Sequence, residues 1–582
     1  MGNLSAADEP LRRGLEHEDE DYERTVQKIL NQDFGDWPNE AGFEGLTEVQ
    51  GPVELRVKGS IPPWAAGTLY RTGPGQYNVE DTPRGTYRTT HWFDGFGHSH
   101  RFAIIPAEDG SVRVEYTSRR QSKALVEDIR KNGRRSIISF GQRQDPCVGI
   151  FGKLMSTFRM ATPIAHPELD NICVTVQGTV PGLSSATRPL ESGHKAVPKT
   201  SWLGSDVAIL KEVDEKTMES KTCALQTKLH PDLRGPLSCA HAQTDPETGD
   251  YFNYNLELGR VSTYRVFRSN ASTGVTDILA TISQSNVKPA YIHSFFLTKS
   301  YVVLCVPSTH FGAMGLWIPW ELNLVDALAP FDTKNVCKWF IIDRKGDQGV
   351  TAQFETPAGF HFHSINSFEE RDESTGGTDV FCDLLQYPNA DIIRSYEIDV
   401  LLGNDGMTQN FWGNESKTRD ALVRLVRYKF SIPKENSIED KRSQFLKAEK
   451  LLEIKSPHVG ELPTINPDYA TKKYKYVYSL PNRGYSTLLD SLAKTDIETR
   501  QTLYWDNPNG HTPGEAIFVP RPKNDENGEI AEDDGVLLSV VLDGHGKKSY
   551  LVCIDAKTMK ELGRAECDWA VALGFHGLHA RA

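Results

Sequence analysis

From Val53 to its end, the chain is written in short segments of alternating apolar and polar residues separated by turn residues, the period-two grammar of β-strands. Turns of one type recur at VDEKTM (213–218), DPETGDY (245–251), IIDRKGD (341–347) and IDAKTM (554–559), each beside apolar, strand-like text, and are predicted to be hairpin tips. Hairpins spread over the whole length suggest stacked four-stranded sheets. A ring of such blades would bury both faces of every sheet without long exposed edges, although a large β-sandwich or barrel satisfies the same periodicity.

Residues 1–45 are acidic and polar and predict a partly mobile arm carrying a short helix at 22–30; residues 46–582 predict a single β domain. Three stretches look inserted into it: 178–203, rich in Ser, Pro, Gly and Thr, and 404–418 and 434–450, which are polar or charged. They are expected to be loops over one face.

Composition narrows the functional classes. A formal net charge of −13 opposes a phosphate backbone, and no basic patch offsets it, so nucleic acid is excluded as a partner. Nine cysteines, scattered and without a C-x-x-C pair, fit reduced thiols in the cytoplasm better than a secreted disulfide framework. The sequence has no run of about 18 uninterrupted apolar residues, so no spanning helix is expected.

Four histidines stand in distinctive local text: HAQTDPETG at His241, YIHSFFLTKSYVVL at His293, FHSINSFEE at His363 and GFHGLHA at His576. They are 52, 70 and 213 positions apart, so no helix brings them together. Only a fold that converges separate strands can make them one metal site, and a propeller axis offers that convergence.

These four motifs, in this order, resemble the carotenoid cleavage oxygenase family. GTLYRTGPG (67–75), HWFDGFGHSHRF (91–102), GELPTIN (460–466), GEAIFVPRP (514–522) and EDDGVLLSVVLD (532–543) extend the resemblance over most of the chain. The resemblance implies an all-β, seven-bladed β-propeller with loops and short helices capping one face. It also implies Fe(2+) on the propeller axis, held by His241, His293, His363 and His576. His361 and His579 compete for ligand roles, but the family's H-x-x-N element selects His363, three residues before Asn366, and the G-F-H-G text selects His576.

Four neutral imidazoles leave the charge on iron unchanged and leave coordination positions for oxygen. Each ligand needs an acceptor for its other N–H. The resemblance nominates Glu369, Glu461 and Glu515 for this, with Asp206 standing where the family has a glutamate. It further implies that a carotenoid or apocarotenoid and O2 are substrates and that a double bond is cleaved to aldehyde products. A polyene has no hydrogen-bonding handles, so an apolar tunnel is required; Phe295, Phe296 and Phe362 flank the ligands and are its candidate liners.

Such a substrate resides in membranes. In PCVGIFGKLMSTFRM (146–160), Ile150, Phe151, Leu154, Met155 and Phe158 fall on one helical face, with Lys153 and Arg159 placed for headgroups. FGAMGLWIPW (311–320) adds Trp317 and Trp320. Peripheral membrane association is therefore expected, and the D-P-C-x-x-I-F text resembles the membrane segment of the retinoid isomerohydrolase branch, making Cys147 a candidate for acylation. Stilbene cleavers of the family carry a lysine beside the second-shell acid, where this chain has Ser205. The long insertions resemble instead the fungal apocarotenoid-forming members, including the torulene dioxygenases.

Overall fold

The computed structural model describes residues 10–32, 34, 36–135, 138–143, 166–183, 200–433, 444–523 and 530–581. The described chain is mostly strand, with few and short helices, in six large sheets and one hairpin. All four predicted turns join adjacent antiparallel strands. Ile209–Val213 pairs with Ser220–Leu225, Gln243–Thr244 with Tyr251–Glu257, Cys337–Asp343 with Val350–Thr356, and Lys548–Asp555 with Glu561–Glu566.

Sheet order follows chain order with few exceptions. Three sheets run 243–282, 296–356 and 360–455, each beginning at a first strand and stepping outward by hairpins. The largest has ten strands and closes the chain on itself. There Gly577–Arg581, the last strand, pairs with Gly67–Pro74, so the C-terminus is locked against an early strand. Many strands are buried along their whole length rather than on alternate residues, as in Tyr301–Val306 and Gly535–Asp543. Both faces are covered by neighbouring sheets, and continuous apolar text is the physical consequence. Trp339, Phe296, Phe354 and Phe430 fill one such interface.

The N-terminal segment differs from the expected arm. Leu11–Arg13 adds an antiparallel edge strand to Gln501–Tyr504. The helix is longer than predicted, Glu18–Leu30, and buries Tyr22, Val26 and Ile29 in the main core. Those positions recur every three or four residues and form one face. Its acidic residues have partners from distant parts of the chain: Asp21 with His458, Glu18 with Arg500, Asp19 with Lys455 and Glu23 with Arg419, while Arg13 of the preceding strand also pairs with Asp21. An acidic helix that reads as solvated alone is therefore docked.

Two insertions also change. Residues 404–418 hold short helices, Met407–Trp412 and Glu415–Asp420, which bury Phe411, Trp412 and Thr418. At the end of the 434–450 stretch, Phe445–Lys447 joins a sheet edge in parallel to Val350–Thr356, and Glu449–Lys455 pairs with Arg424–Ile432. Of 178–203, residues 184–199 lie outside the described residues, while Ser201–Gly204 is a buried strand. Ile150, Phe151, Leu154, Met155, Phe158 and Cys147 also lie outside them.

The docked helix predicts a measurable cost. Ile29→Ala should lower stability by about 2–5 kcal/mol, as for other buried large-to-small changes. Urea denaturation checks this, and an unchanged midpoint would mean that the helix is not part of the core.

Candidate metal centre

The four singled-out histidines come from four different sheets. His241 immediately precedes Gln243–Thr244, His293 precedes Phe296–Leu297, His363 lies in Phe360–Arg371 and His576 precedes Gly577–Arg581. Each is thus at or just before an edge strand of its sheet, the first strand for His241, His293 and His363 and the chain's last strand for His576. Backbone contacts tie the entries together: the His241 N–H donates to the His293 carbonyl at 3.2 Å, and the Thr72 N–H to the His576 carbonyl at 3.0 Å.

His363 is aimed by an irregularity. The pairing of its strand with Thr378–Tyr387 shifts register between His361 and Ser364 and again before Asn366. A bulge breaks the strict alternation of faces, and Phe362 and His363, neighbours in sequence, both reach one cavity. His361 instead stacks toward Phe296 and its Nε2 has no partner. His579 bonds the Ala65 carbonyl. Neither joins the cluster.

One nitrogen from each of the four histidines lies within 4.8 Å of the others. His241 Nε2 and His576 Nε2 are 3.0 Å apart, and His363 Nε2 and His576 Nε2 are 3.2 Å apart. The opposite nitrogens decide what this means. His363 Nδ1 donates to Glu461 at 2.5 Å, His576 Nδ1 to Glu515 at 2.7 Å and His293 Nδ1 to Asp206 at 2.9 Å. A neutral imidazole that donates from Nδ1 carries a lone pair on Nε2. Lone pairs at about 3 Å repel unless a cation lies between them, so the donor set fits a metal ion.

Burial keeps two of the ligands neutral. His241 and His576 are driven well below the ordinary imidazole range, first by burial and then by neighbouring imidazoles. Burial pushes the Glu461 carboxyl up, but His363, the Tyr387 hydroxyl and the Leu462 N–H together outweigh it and hold the carboxyl below its usual value. Glu515 is pushed up to about 7 by burial, although Arg71 opposes this at 2.7 Å.

The carboxylates are themselves held. Tyr291 Oη donates to Asp206 at 2.9 Å, Tyr387 Oη to Glu461 at 2.7 Å, and the Gly577 N–H to Glu515 at 2.8 Å. Tyr291, Tyr387 and Arg71 were not singled out from sequence. Arg71 sits inside the GTLYRTGPG motif, which could have flagged it; the tyrosines had no comparable signal.

Glu369 departs from its expected role. It accepts from Thr298 Oγ1 at 2.7 Å and Ser300 Oγ at 2.6 Å and bonds no histidine. It lies six residues beyond His363 on the same strand, roughly 20 Å at strand rise, which carries it away from the centre. Asp206 takes the third position. His241 has no carboxylate partner among the described residues.

An apolar cavity of about 250 Å³ opens against His293, His363 and His576. Trp92, Phe93, Phe362, Tyr396, Leu258 and Phe575 are among its walls. Of the three expected liners, only Phe362 faces it. Phe295 and Phe296 follow His293 along the chain and border a second cavity, on the His241 side.

The profile of a family described as retinal pigment epithelial membrane protein matches residues 42–581. A "carotenoid dioxygenase" of Neurospora crassa is 48% identical over 97% of this chain and 94% of its own length. A "torulene dioxygenase" of Fusarium fujikuroi is 47% identical over 98% of both chains. Among solved structures, cobalt-substituted Synechocystis apocarotenoid oxygenase superposes with a TM-score of 0.67 at 21% identity, covering 96% of this chain and 99% of that one. This likeness places the fold in the propeller type.

The carboxylate partners give a contrast within one site. Asp206→Ala and Glu461→Gln should weaken metal binding about 10- to 100-fold. Glu369→Gln should leave it unchanged. Titration of the metal-free protein with a divalent ion distinguishes them, and equal losses at all three would contradict the assigned contacts.

Proposed function

The chain belongs to the retinal pigment epithelial membrane protein family, the carotenoid oxygenases, and we propose that it is a dioxygenase that cleaves a double bond of a carotenoid with O2 to give aldehyde products. The metal is Fe(2+), held by His241, His293, His363 and His576. The observation that carries this is the meeting of four imidazole nitrogens at the edge of an apolar cavity. Torulene or a related carotene is the substrate we favour, from the near-full-length likeness to the Fusarium protein.

Iron held by the four histidines would supply the binding and activation of oxygen. The chain's own residues set the rest. Phe93, Phe362 and Phe575 pack edge to face at 4.9–5.9 Å, a wall that grips a polyene by shape and excludes water. Asp206, Glu461 and Glu515 hold protons at the outer Nδ1 atoms and thereby keep the inner Nε2 lone pairs available. Ser205 borders the cavity where a stilbene cleaver would carry lysine.

We read the architecture as seven blades. The ten-stranded sheet divides where Val53–Gly59 pairs with Glu561–Glu566, leaving a blade of at least four strands on each side. With the five other large sheets this makes seven, and the four histidines occupy four of them.

The enzyme works peripherally at a membrane, on the cytoplasmic side. Leu316, Trp317 and Trp320 are 72%, 41% and 43% exposed, while Ile318 and Leu324 of the same segment line the apolar cavity. An exposed apolar ridge beside a cavity wall suits transfer of a polyene from lipid. No helix among the described residues is long and apolar enough to cross a membrane.

Anaerobic reconstitution with Fe(2+), followed by O2 and torulene or β-carotene, should yield aldehyde fragments by mass spectrometry. His363→Ala should abolish them, whereas polyene bound intact by iron-loaded protein would favour a carrier. Replacing both Trp317 and Trp320 with Ser should reduce sedimentation with liposomes without loss of metal. Unchanged sedimentation would remove this ridge from the docking surface.

A further inference from the structure

Two cavities reach the histidine cluster, and they share none of its ligands. The apolar one touches His293, His363 and His576. The other, about 430 Å³, touches His241 alone of the four. Its wall is built from the ends of first strands of several sheets and carries Gln177, Gln243, Thr244, Ser367, Thr464 and Thr471. It shares Thr464, Ile465, Pro467, Leu578 and His579 with a further cavity of about 450 Å³, whose wall holds Glu247, Asp468, Lys472, Lys523 and Arg581. A passage that carries amides and hydroxyls among apolar residues such as Phe295, Phe296 and Leu578 thus leads from charged residues to His241.

His241 differs from the other ligands in two ways. It is the one ligand of the four that is not buried, and it alone has no carboxylate holding its ring. Beside it, the Gln177 amide donates to the Ala240 carbonyl at 3.2 Å, while Gln177 Oε1 is buried without a partner among the described residues. That oxygen is an acceptor waiting for a donor such as metal-bound water.

We propose that this passage is the route by which the divalent metal enters and leaves, with His241 the last ligand to close on it. The inference rests on the four-histidine metal site argued above. The apolar cavity offers a hydrated dication few groups to replace its water, and stripping that water into an apolar medium is strongly unfavourable. Amide and hydroxyl groups can replace or hydrogen-bond that water along the passage. The three ligands fixed by carboxylates form a preset half-site, and an imidazole free of such a partner can rotate to admit the ion and then complete the set.

Metal uptake, rather than turnover, tests this. Metal-free protein is mixed with Co(2+) and the visible absorption of the bound ion is followed with time. Thr464→Trp, which narrows the passage away from every ligand, should slow uptake by at least ~10-fold, an added barrier of ~1.4 kcal/mol, with the final stoichiometry unchanged. Wild-type protein whose apolar cavity is first filled with a long-chain alkyl detergent should load at the unfilled rate. Equal rates in wild type and a folded Thr464→Trp would overturn the proposal. So would a block by the detergent, which is decisive even where the variant does not fold. Failure of wild type to bind Co(2+) at all would instead count against the metal site itself.

Discussion

Four imidazole nitrogens turned toward one another, three of them fixed as acceptors, are the constraint on which the rest of this structure depends. With His363, His576 and His293 donating outward to carboxylates, their inner nitrogens can only accept, and at separations near 3 Å they repel. Without a cation, relaxation would spread the rings. They are held by buried carboxylates that are held in turn, by Tyr387, Arg71 and Tyr291. Burying each carboxylate is itself costly unless its oxygens are satisfied. The site is therefore a set of concentric supports in which each layer makes the one inside it tolerable.

A ring of sheets suits this requirement better than a helix would. Residues four apart on a helix share one face, and two such faces must approach to make four ligands. Here an edge strand of each contributing sheet delivers one histidine, and the adjoining sheets supply the second layer: Glu461 lies in an edge strand packed against the one carrying His363. Pairing of the last strand with Gly67–Pro74 brings His576, near the end of the chain, beside His241. Closure of the fold and completion of the site are one event.

Much of this was legible in the sequence, and the misses share a cause. The hairpin turns could be read because Asp, Gly and Lys at fixed offsets act locally. The histidines stood in local motifs that resemble one family. The N-terminal helix was misread because its acidic face is paired with Arg419, Lys455, His458 and Arg500, some 400 or more residues away. Glu369, nominated by the family resemblance, instead bonds Thr298 and Ser300, because six residues along the strand carry it away from the ring of His363. Asp206 stands where the resemblance expects a glutamate, yet its carboxylate lies 2.9 Å from His293 Nδ1. Long-range geometry, rather than residue type, decided each case.

The division of space around the cluster also bears on the chemistry. Three ligands held by carboxylates border the apolar side, and the unheld one borders the polar side. An ion placed among them would face a polyene in a medium that excludes water, where its electrostatic influence is strongest. The polar side would remain open to water and ions without exposing the reacting bond to them. Had both sides been apolar, no hydrated metal could arrive; had both been polar, a polyene would find no reason to bind. The asymmetry follows from strand geometry, since the bulge at 361–366 turns Phe362 and His363 together toward one side and leaves Ser364, Ile365 and Asn366 lining the other.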